Sequence, residues 1–396
     1  MKILVTDGNN RAALAITRSL GRKGHRIVVG ERTQPSLAKT SRYCRESFVY
    51  PDPARDSLGF IETLLRNVRE RGVDVILPVA EITTALVVEH KSAFEAYCRV
   101  PFSDAETFSR ASNKVEVIRL AQGLGIPVPI SVVLVKPGDR PPWPNDLRFP
   151  VVVKPHRSRI PMNNGWRSTS VTYAKTETEL DAILAAKNAA EYPLLIQQRI
   201  AGPGMGVFMC YNRGTLAAVF GHRRLREKPP SGGVSVLCES VPVAPQSRAY
   251  AKALLDHLKW QGVAMVEFKL DQADQTPKLM EINGRFWGSL ELAIIAGVDF
   301  PELLIRSLED RPVQLVDSYR IGVKSRWLLG DLDVLLMTLF KDRDTLDLPP
   351  GHGGKIQSII EFLNCWQNDL HYEVLSVSDM KPALFEAMMW LTRRSR

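Results

Sequence analysis

The stretch that decides the reading is Gly262-Val263-Ala264-Met265-Val266-Glu267-Phe268-Lys269-Leu270, a polar turn with one proline over 271–277, and Lys278-Leu279-Met280-Glu281-Ile282-Asn283-Gly284-Arg285. Two apolar runs around such a turn predict a β-hairpin. With the turn centred near Asp274, Glu267 and Glu281 fall opposite one another, and alternation puts Asn283 on the face of Glu281. Cross-strand Cβ atoms lie only ~5 Å apart, so two like charges there destabilise the pair unless something compensates them. A hard cation does so, and oxygen ligands with no His or Cys nearby predict Mg2+ or Mn2+ rather than zinc. A solvated hairpin face is the plainer alternative. Against it, Glu267 is set among Ala264, Val266 and Phe268, and Glu281 between Leu279 and Ile282. A bulge would shift the pairing by one residue.

Upstream, apolar runs at 151–154, 194–198, 207–211, 216–222 and 234–240 read as strands, interrupted by helices near 177–190 and 246–260. Strands with segregated helices predict an α+β domain. The first hundred residues have a different texture. Strands at 2–6, 26–30 and 73–79 alternate with helices at 58–68 and 84–97, and with one whose buried face carries Ala12, Ala13, Ile16 and Leu20. That alternation predicts a Rossmann-like α/β domain. Its first turn, Asp7-Gly8-Asn9-Asn10-Arg11-Ala12, has one glycine where a dinucleotide fingerprint wants three. NAD or FAD is therefore not expected, although Glu31 ends the second strand where a ribose-binding acid would stand. Five prolines between 136 and 150 mark a loop. The last eighty residues are mixed and helix-rich, with apolar periodicity at 331–340, 356–366 and 383–391.

At 396 residues the chain has room for two or three domains. Its 45% hydrophobic and 24% charged residues are those of an ordinary globular protein. No apolar stretch approaches the ~18 residues of a membrane span. Asp7 ends the first apolar run too early for a signal peptide, so a cytoplasmic protein with no transmembrane segment is expected. The net charge of +9 invites a nucleic-acid partner, but the basic residues are scattered rather than striped. Cations gathered around a small anion, such as a nucleoside triphosphate, are the expectation instead. Cys44, Cys98, Cys210, Cys238 and Cys365 are odd in number with no CxxC pair, which predicts buried free thiols. A homodimer is the commonest arrangement should the chain oligomerise.

Magnesium held by few protein oxygens keeps open positions for phosphates. Candidates to hold those phosphates are Lys154, at a strand end before Pro155, and Lys114, ahead of a helix. The loop 156–170, with Asn163-Asn164-Gly165 and several hydroxyls, and His222-Arg223-Arg224 at another strand end join them. Each alone is an ordinary solvated side chain; their value is joint.

In this order and spacing the segments resemble the ATP-grasp superfamily over residues 1–310. The stretches that carry the resemblance are Ser112-Asn113-Lys114, Gly125-Ile126-Pro127-Val128-Pro129, Phe149-Pro150-Val151-Val152-Val153-Lys154-Pro155 and Leu195-Ile196-Gln197-Gln198-Arg199-Ile200-Ala201-Gly202. Gly232-Gly233-Val234-Ser235, Val266-Glu267-Phe268 and the Glu281–Arg285 run complete it. The resemblance implies a mixed α/β and α+β fold: a Rossmann-like domain at 1–103, a two-lobed ATP-grasp domain at 104–310 (small lobe 113–200, large lobe 201–310), and a helix-rich segment at 311–396. It implies that Lys114 and Lys154 contact ATP phosphates, and that Gln197 and the backbone near Ile200 meet the adenine. Glu267, Glu281 and Asn283 would be the Mg2+ ligands. Arg285, with one of Arg223 or Arg224, would stabilise the transferred phosphoryl group, and a loop at 157–168 would exclude water.

The activity so implied is ATP-dependent ligation of a small-molecule carboxylate to an amine through an acyl phosphate. The texture is that of carbamoyl-phosphate-synthase-like lone ATP-grasp proteins, including amino-acid ligases. A phosphotransferase of the carbamoyl-phosphate type and a non-catalytic ATP-binding module are the alternatives; carbamoyl-phosphate synthesis itself uses two tandem units, and this chain has room for one. Three features depart from the family pattern. Gln197 stands where glutamate is common, the loop after Lys154 is poor in glycine and rich in arginine, and Gly204-Met205 replaces a ribose-binding polar residue. Downstream, Arg320, Lys324 and Arg326 beside Trp327 suit either an anion or a packed strand with solvated charges. The amphipathic end at 385–396 reads as a docked helix with a basic tail, or as a membrane-surface helix.

Overall fold

The computed structural model describes the chain except residues 140, 163–164, 231, 309–313, 342–345, 347–352, 365–367 and 395–396. Asn163, Asn164, Cys365, Trp366 and Arg396 lie outside the described residues.

Four strands, β1 (Lys2–Val5), β2 (Arg26–Glu31), β3 (Cys44–Val49) and β4 (Val75–Leu77), form an all-parallel sheet in the order β3-β2-β1-β4. Ile3, Leu4, Val5, Ile27, Val28 and Val29 are buried, as parallel strands covered on both faces require. Helix Arg11–Arg22 follows β1, its N-terminus capped by the Asn10 side chain, which accepts from the Ala12 N–H. The turn between them is filled by protein atoms. A Cβ on Gly8 would sit 2.6 Å from Ser36 Oγ, and Glu31 accepts from the Asn9 and Arg32 N–H groups at 2.8 Å each. Strand β3 carries no alternating apolar pattern, because Cys44-Arg45-Glu46-Ser47-Phe48-Val49 forms a half-exposed edge.

A second sheet of antiparallel pairs contains β5 (Ser131–Leu134), β6 (Val151–Pro155), β9 (Thr172–Ala174) and β10 (Leu194–Gln198), in the order β5-β10-β6-β9. It has its own core, built on Val132, Leu134, Val151, Val153, Leu194 and Ile196. Between β6 and β9 a separate hairpin, β7 (Arg159–Met162) with β8 (Gly165–Ser168), leaves this sheet. It rests on the segment between β3 and helix Ser57–Arg71: the Trp166 N–H donates to Ala54 O at 2.8 Å, and its indole Nε1 to Ser57 Oγ at 3.2 Å.

The third sheet has seven strands: β11 (Gly204–Asn212), β12 (Thr215–Lys228), β13 (Val234–Ser240), β14 (Gly262–Leu270), β15 (Pro277–Asn283), β16 (Lys324–Arg326) and β17 (Leu370–Tyr372). Their order is β15-β14-β11-β12-β13-β16-β17. Strand β12 runs six residues beyond the 216–222 expected from the apolar run. The charged tail Arg223-Arg224-Leu225-Arg226-Glu227-Lys228 stays in the sheet because each of its cations finds a carboxylate: Arg223–Glu239, Arg224–Glu267, Arg226–Asp331 and Lys228–Asp333.

The C-terminal residues complete this sheet rather than stand apart. Strand β16 pairs antiparallel with β13, and β17 parallel with β16. Arg326 is buried, its Nε donating to Asp331 at 2.6 Å, so it is not a surface anion receptor. The segment after β17 docks onto helix Arg11–Arg22. There the buried Arg18 donates to Asp379 Oδ2 at 2.9 Å, Glu373 O at 3.1 Å and Val374 O at 2.9 Å. Among the described residues no helix is long and apolar enough to cross a membrane.

Candidate active site

A cleft of about 400 Å3 opens between the four-stranded sheet of β5, β6, β9 and β10 and the seven-stranded sheet. The hairpin β14–β15 supplies its acidic wall. Glu267 pairs directly with Glu281, and Met265 with Asn283, while beyond Glu267 the register shifts so that Phe268 pairs with Leu279. Met280 is therefore the extra residue of a bulge, and the bulge is what turns Glu281 opposite Glu267. Gly206 on β11 pairs with Glu267 on one side and with His222 of β12 on the other. A Cβ on Gly206 would stand 2.5 Å from the Phe208 ring and 3.1 Å from His222 Cδ2, so this row of the floor admits only glycine without displacement.

Cations surround the acidic pair. Lys114, the first residue of helix Lys114–Gly123, donates to Ser158 Oγ at 2.8 Å and lies 3.4 Å from Glu281 Oε2. Asn283 donates to Glu281 Oε1 at 2.9 Å and accepts from Arg285 Nη2 at 3.2 Å. Burial pushes the Glu281 carboxyl up, but Lys114, the Asn283 amide, Lys154 and Arg285 outweigh it and hold it at about 2. Glu267 differs: burial raises its carboxyl, against the opposing pull of Arg224. The Arg224 guanidinium bridges Glu267 Oε2 at 2.5 Å and Glu227 Oε1 at 2.7 Å. Arg223 points elsewhere, paired at 2.7 Å with Glu239 and 55% exposed, so of the two neighbouring arginines Arg224 is the one in the cleft.

The opposite wall comes from β6 and β10. Lys154 Nζ donates to Gln197 Oε1 at 2.7 Å, and Gln197 Nε2 donates to Ser131 Oγ at 3.0 Å. Burial drives the Lys154 ammonium down to about 8, against the pull of Glu281. Gln197 and Ile200 both line the cleft, beside the apolar side chains of Val152, Tyr173, Met265 and Met280. The Gln197 oxygen, expected to face a ligand N–H, already accepts from Lys154 and retains one lone pair.

Glu267, Glu281 and Asn283 give a donor set of oxygens only, in an open arrangement. Among the described residues no cluster of three His, Cys, Asp or Glu suits a metal. An all-oxygen set with room for further ligands fits Mg2+. Sequence reasoning did not place Arg11, Lys269, Glu227 or Ser289, all of which line the cleft. Lys269 carried a signal, since it alternates with Glu267 on β14. Arg11 carried none, because it comes from the helix after β1, far along the chain from the other cleft residues.

Residues 190–329 match the family described as ATP-grasp in the biosynthetic pathway with Ter operon. D-aspartate ligase of Enterococcus faecium is 25% identical over 244 residues, which is 57% of this chain and 58% of that ligase's length. An L-amino acid ligase from Bacillus licheniformis superposes with a TM-score of 0.60 at 18% identity, covering 78% of this chain and 74% of its own. The biotin carboxylase domain of Hydrogenobacter thermophilus 2-oxoglutarate carboxylase, solved with MgADP and bicarbonate, gives 0.62 at 14% identity, covering 82% and 73%.

Proposed function

We propose that this chain, a protein of ATP-grasp fold, is an ATP-dependent carboxylate–amine ligase of the amino-acid type. The observation that carries the reading is the meeting across one cleft of Glu267, Glu281 and Asn283 with Lys114, Lys154, Arg224 and Arg285. The names of the similar D-aspartate and L-amino acid ligases support it. In this reading residues 1–103 are the preceding domain, 104–310 clamp ATP, and 311–396 close the far end of the large-lobe sheet.

Glu267, Glu281 and Asn283 would hold Mg2+, which when bound neutralises phosphate oxygens and orients the γ-phosphoryl group. Lys114 and Lys154 bind phosphate, and Gln197 with the backbone at Ile200 borders the adenine. Arg224 and Arg285 offset the charge on the transferring group. A carboxylate oxygen attacks the γ-phosphorus, the bond to the β-bridging oxygen breaks, and ADP leaves. The neutral amine then attacks the acyl-phosphate carbon, the carbon–oxygen bond to phosphate breaks, and the amine proton leaves with phosphate. Water would destroy that intermediate, and the β7–β8 hairpin is the segment we assign to cover it.

The test incubates the protein with Mg-ATP and pooled amino acids, with and without hydroxylamine, and quantifies ADP, AMP and hydroxamate. ADP with hydroxamate is expected, reduced by about 10²–10³ in Glu281→Gln. AMP in place of ADP would overturn the acyl-phosphate route. Full ADP release without an amine would favour the phosphotransferase, and ATP binding without turnover on any pool the binding module.

A further inference from the structure

One side chain lining the cleft, that of Arg11, comes from the helix that follows β1. Arg11 is the only cleft-lining residue before position 104 among the described residues. It is the first residue of helix Arg11–Arg22 and reaches across to β13 and to the residue that follows β16. There its guanidinium stacks on Trp327, with Cζ 4.0 Å from the ring centroid, a cation–π contact that holds the plane in one orientation. Gly288 makes room for it: a Cβ there would lie 3.1 Å from Arg11 Nη2.

The hydrogen bonding of Arg11 is incomplete. Nη1 donates to Glu373 Oε2, Nη2 has only a 3.5 Å contact to Ser235 O, and Nε has no partner among the described residues. A guanidinium carries five donors arranged to meet planar anions in pairs. The ion pair with Glu373 fixes the group without exhausting it.

Charge points the same way. Seven cationic side chains and three carboxylates line the cleft. ATP with two divalent cations is electrically neutral; Arg11 is itself paired with Glu373, so the excess left for another anion is that of the other six cations over the three carboxylates. Arg11 abuts Gly288, three residues along the chain from Arg285. The Cα atoms of Gly288 and Arg285 are at most ~11 Å apart by chain length, and Arg11 and Arg285 both line the one cleft.

We propose that Arg11 is the recognition residue for a second, non-reacting carboxylate, so that the acid substrate is a short dicarboxylate whose other carboxylate is the one activated. This rests on the ligase reading for the identity of the reacting end. The recognition itself is independent of turnover and is tested by binding.

The full chain, saturated with MgADP, is titrated calorimetrically with aspartate (both enantiomers), glutamate and succinate, and with the matching half-amides asparagine, glutamine and succinamate. Wild type is expected to bind a dicarboxylate ~10–100-fold more tightly than its half-amide, the worth of hydrogen bonds to a charged group. Arg11→Gln removes the cation but leaves Glu373 buried without its partner. The double variant Arg11→Gln/Glu373→Gln therefore keeps the region neutral, and its MgADP affinity reports that the fold is intact. In it the preference for dicarboxylates should collapse to about one, which a merely structural role for Arg11 would not produce. Half-amides binding wild type as well as dicarboxylates, no dicarboxylate binding, or a preference that survives the double variant would each overturn the proposal. Failure of the ligase reading looks different: dicarboxylate selectivity intact, with no hydroxamate formed. Hydroxamate formed equally from monocarboxylates would do the reverse.

Discussion

Arg18→Met is the perturbation that best probes how the C-terminal segment holds the cleft together. Arg18 is 1% exposed, and its guanidinium donates to Asp379 Oδ2, Asp379 O, Glu373 O and Val374 O at 2.9–3.1 Å. Methionine keeps the aliphatic stem and removes the fork. Asp379 retains its bonds from Ser41 Oγ at 2.6 Å and the Arg42 N–H at 2.9 Å, but loses its counter-ion at 3% exposure. Breaking one partner of such a pair costs about 3–5 kcal/mol. Spread over a chain of this length, with an unfolding entropy of ~0.8 kcal/mol/K, that is a Tm shift of roughly 4–6 °C. If the segment opens separately, limited proteolysis near residues 373–379 replaces the shift. Differential scanning calorimetry and timed proteolysis read the two. Arg18→Met/Asp379→Leu removes both charges and should recover most of the loss. A single variant within about 0.5 kcal/mol of wild type and equally protease-resistant would refute the reasoning, as would a double variant no better than the single.

Arg224→Gln should lower hydroxamate formation by about 10²–10³, the worth of a cation on developing charge, while the half-exposed Arg223→Gln stays within twofold; equal losses in steady-state assays would contradict the assignment to Arg224. Stability should also fall with rising pH between about 4.5 and 7. Burial pushes the Glu291 carboxyl up to about 7, against Arg18 and Arg22, so the folded chain binds the extra proton in that window and loses about 3 kcal/mol on crossing it. Glu291→Gln should flatten that slope in chemical denaturation at pH 5 and pH 7.5, and an unchanged slope would count against a neutral buried Glu291. Glu373, also pushed up to about 7 by burial, keeps a part of the slope.

Much of the candidate site was legible because its logic is local. Glu267, Glu281 and Asn283 sit in one hairpin, where a period of two sets which of them share a face. The turn register alone would set Met280 opposite Glu267, and the bulge at Met280 brings Glu281 there instead. Lys154 and Gln197 were readable as the ends of apolar strands that pair across β6 and β10. Strand β3 was not, since an edge strand needs no apolar alternation. Nor was the far half of β12, where strand structure persists through a charged run because Glu239, Glu267, Asp331 and Asp333 meet it from four other places in the chain.

The sequence by itself determined the hairpin, the α/β and α+β strand textures and the acid–cation chemistry of the cleft, because apolar period, turn residues and charge type act between near neighbours. Only the tertiary structure decided which of Arg223 and Arg224 faces the cleft, that residues 324–326 and 370–372 finish the large sheet, and that Arg11 reaches the site. Those depend on contacts between residues up to 362 positions apart, as Arg11 and Glu373 are. Nothing in the local pattern of either partner encodes them; they follow from which surfaces the packed lobes bring together.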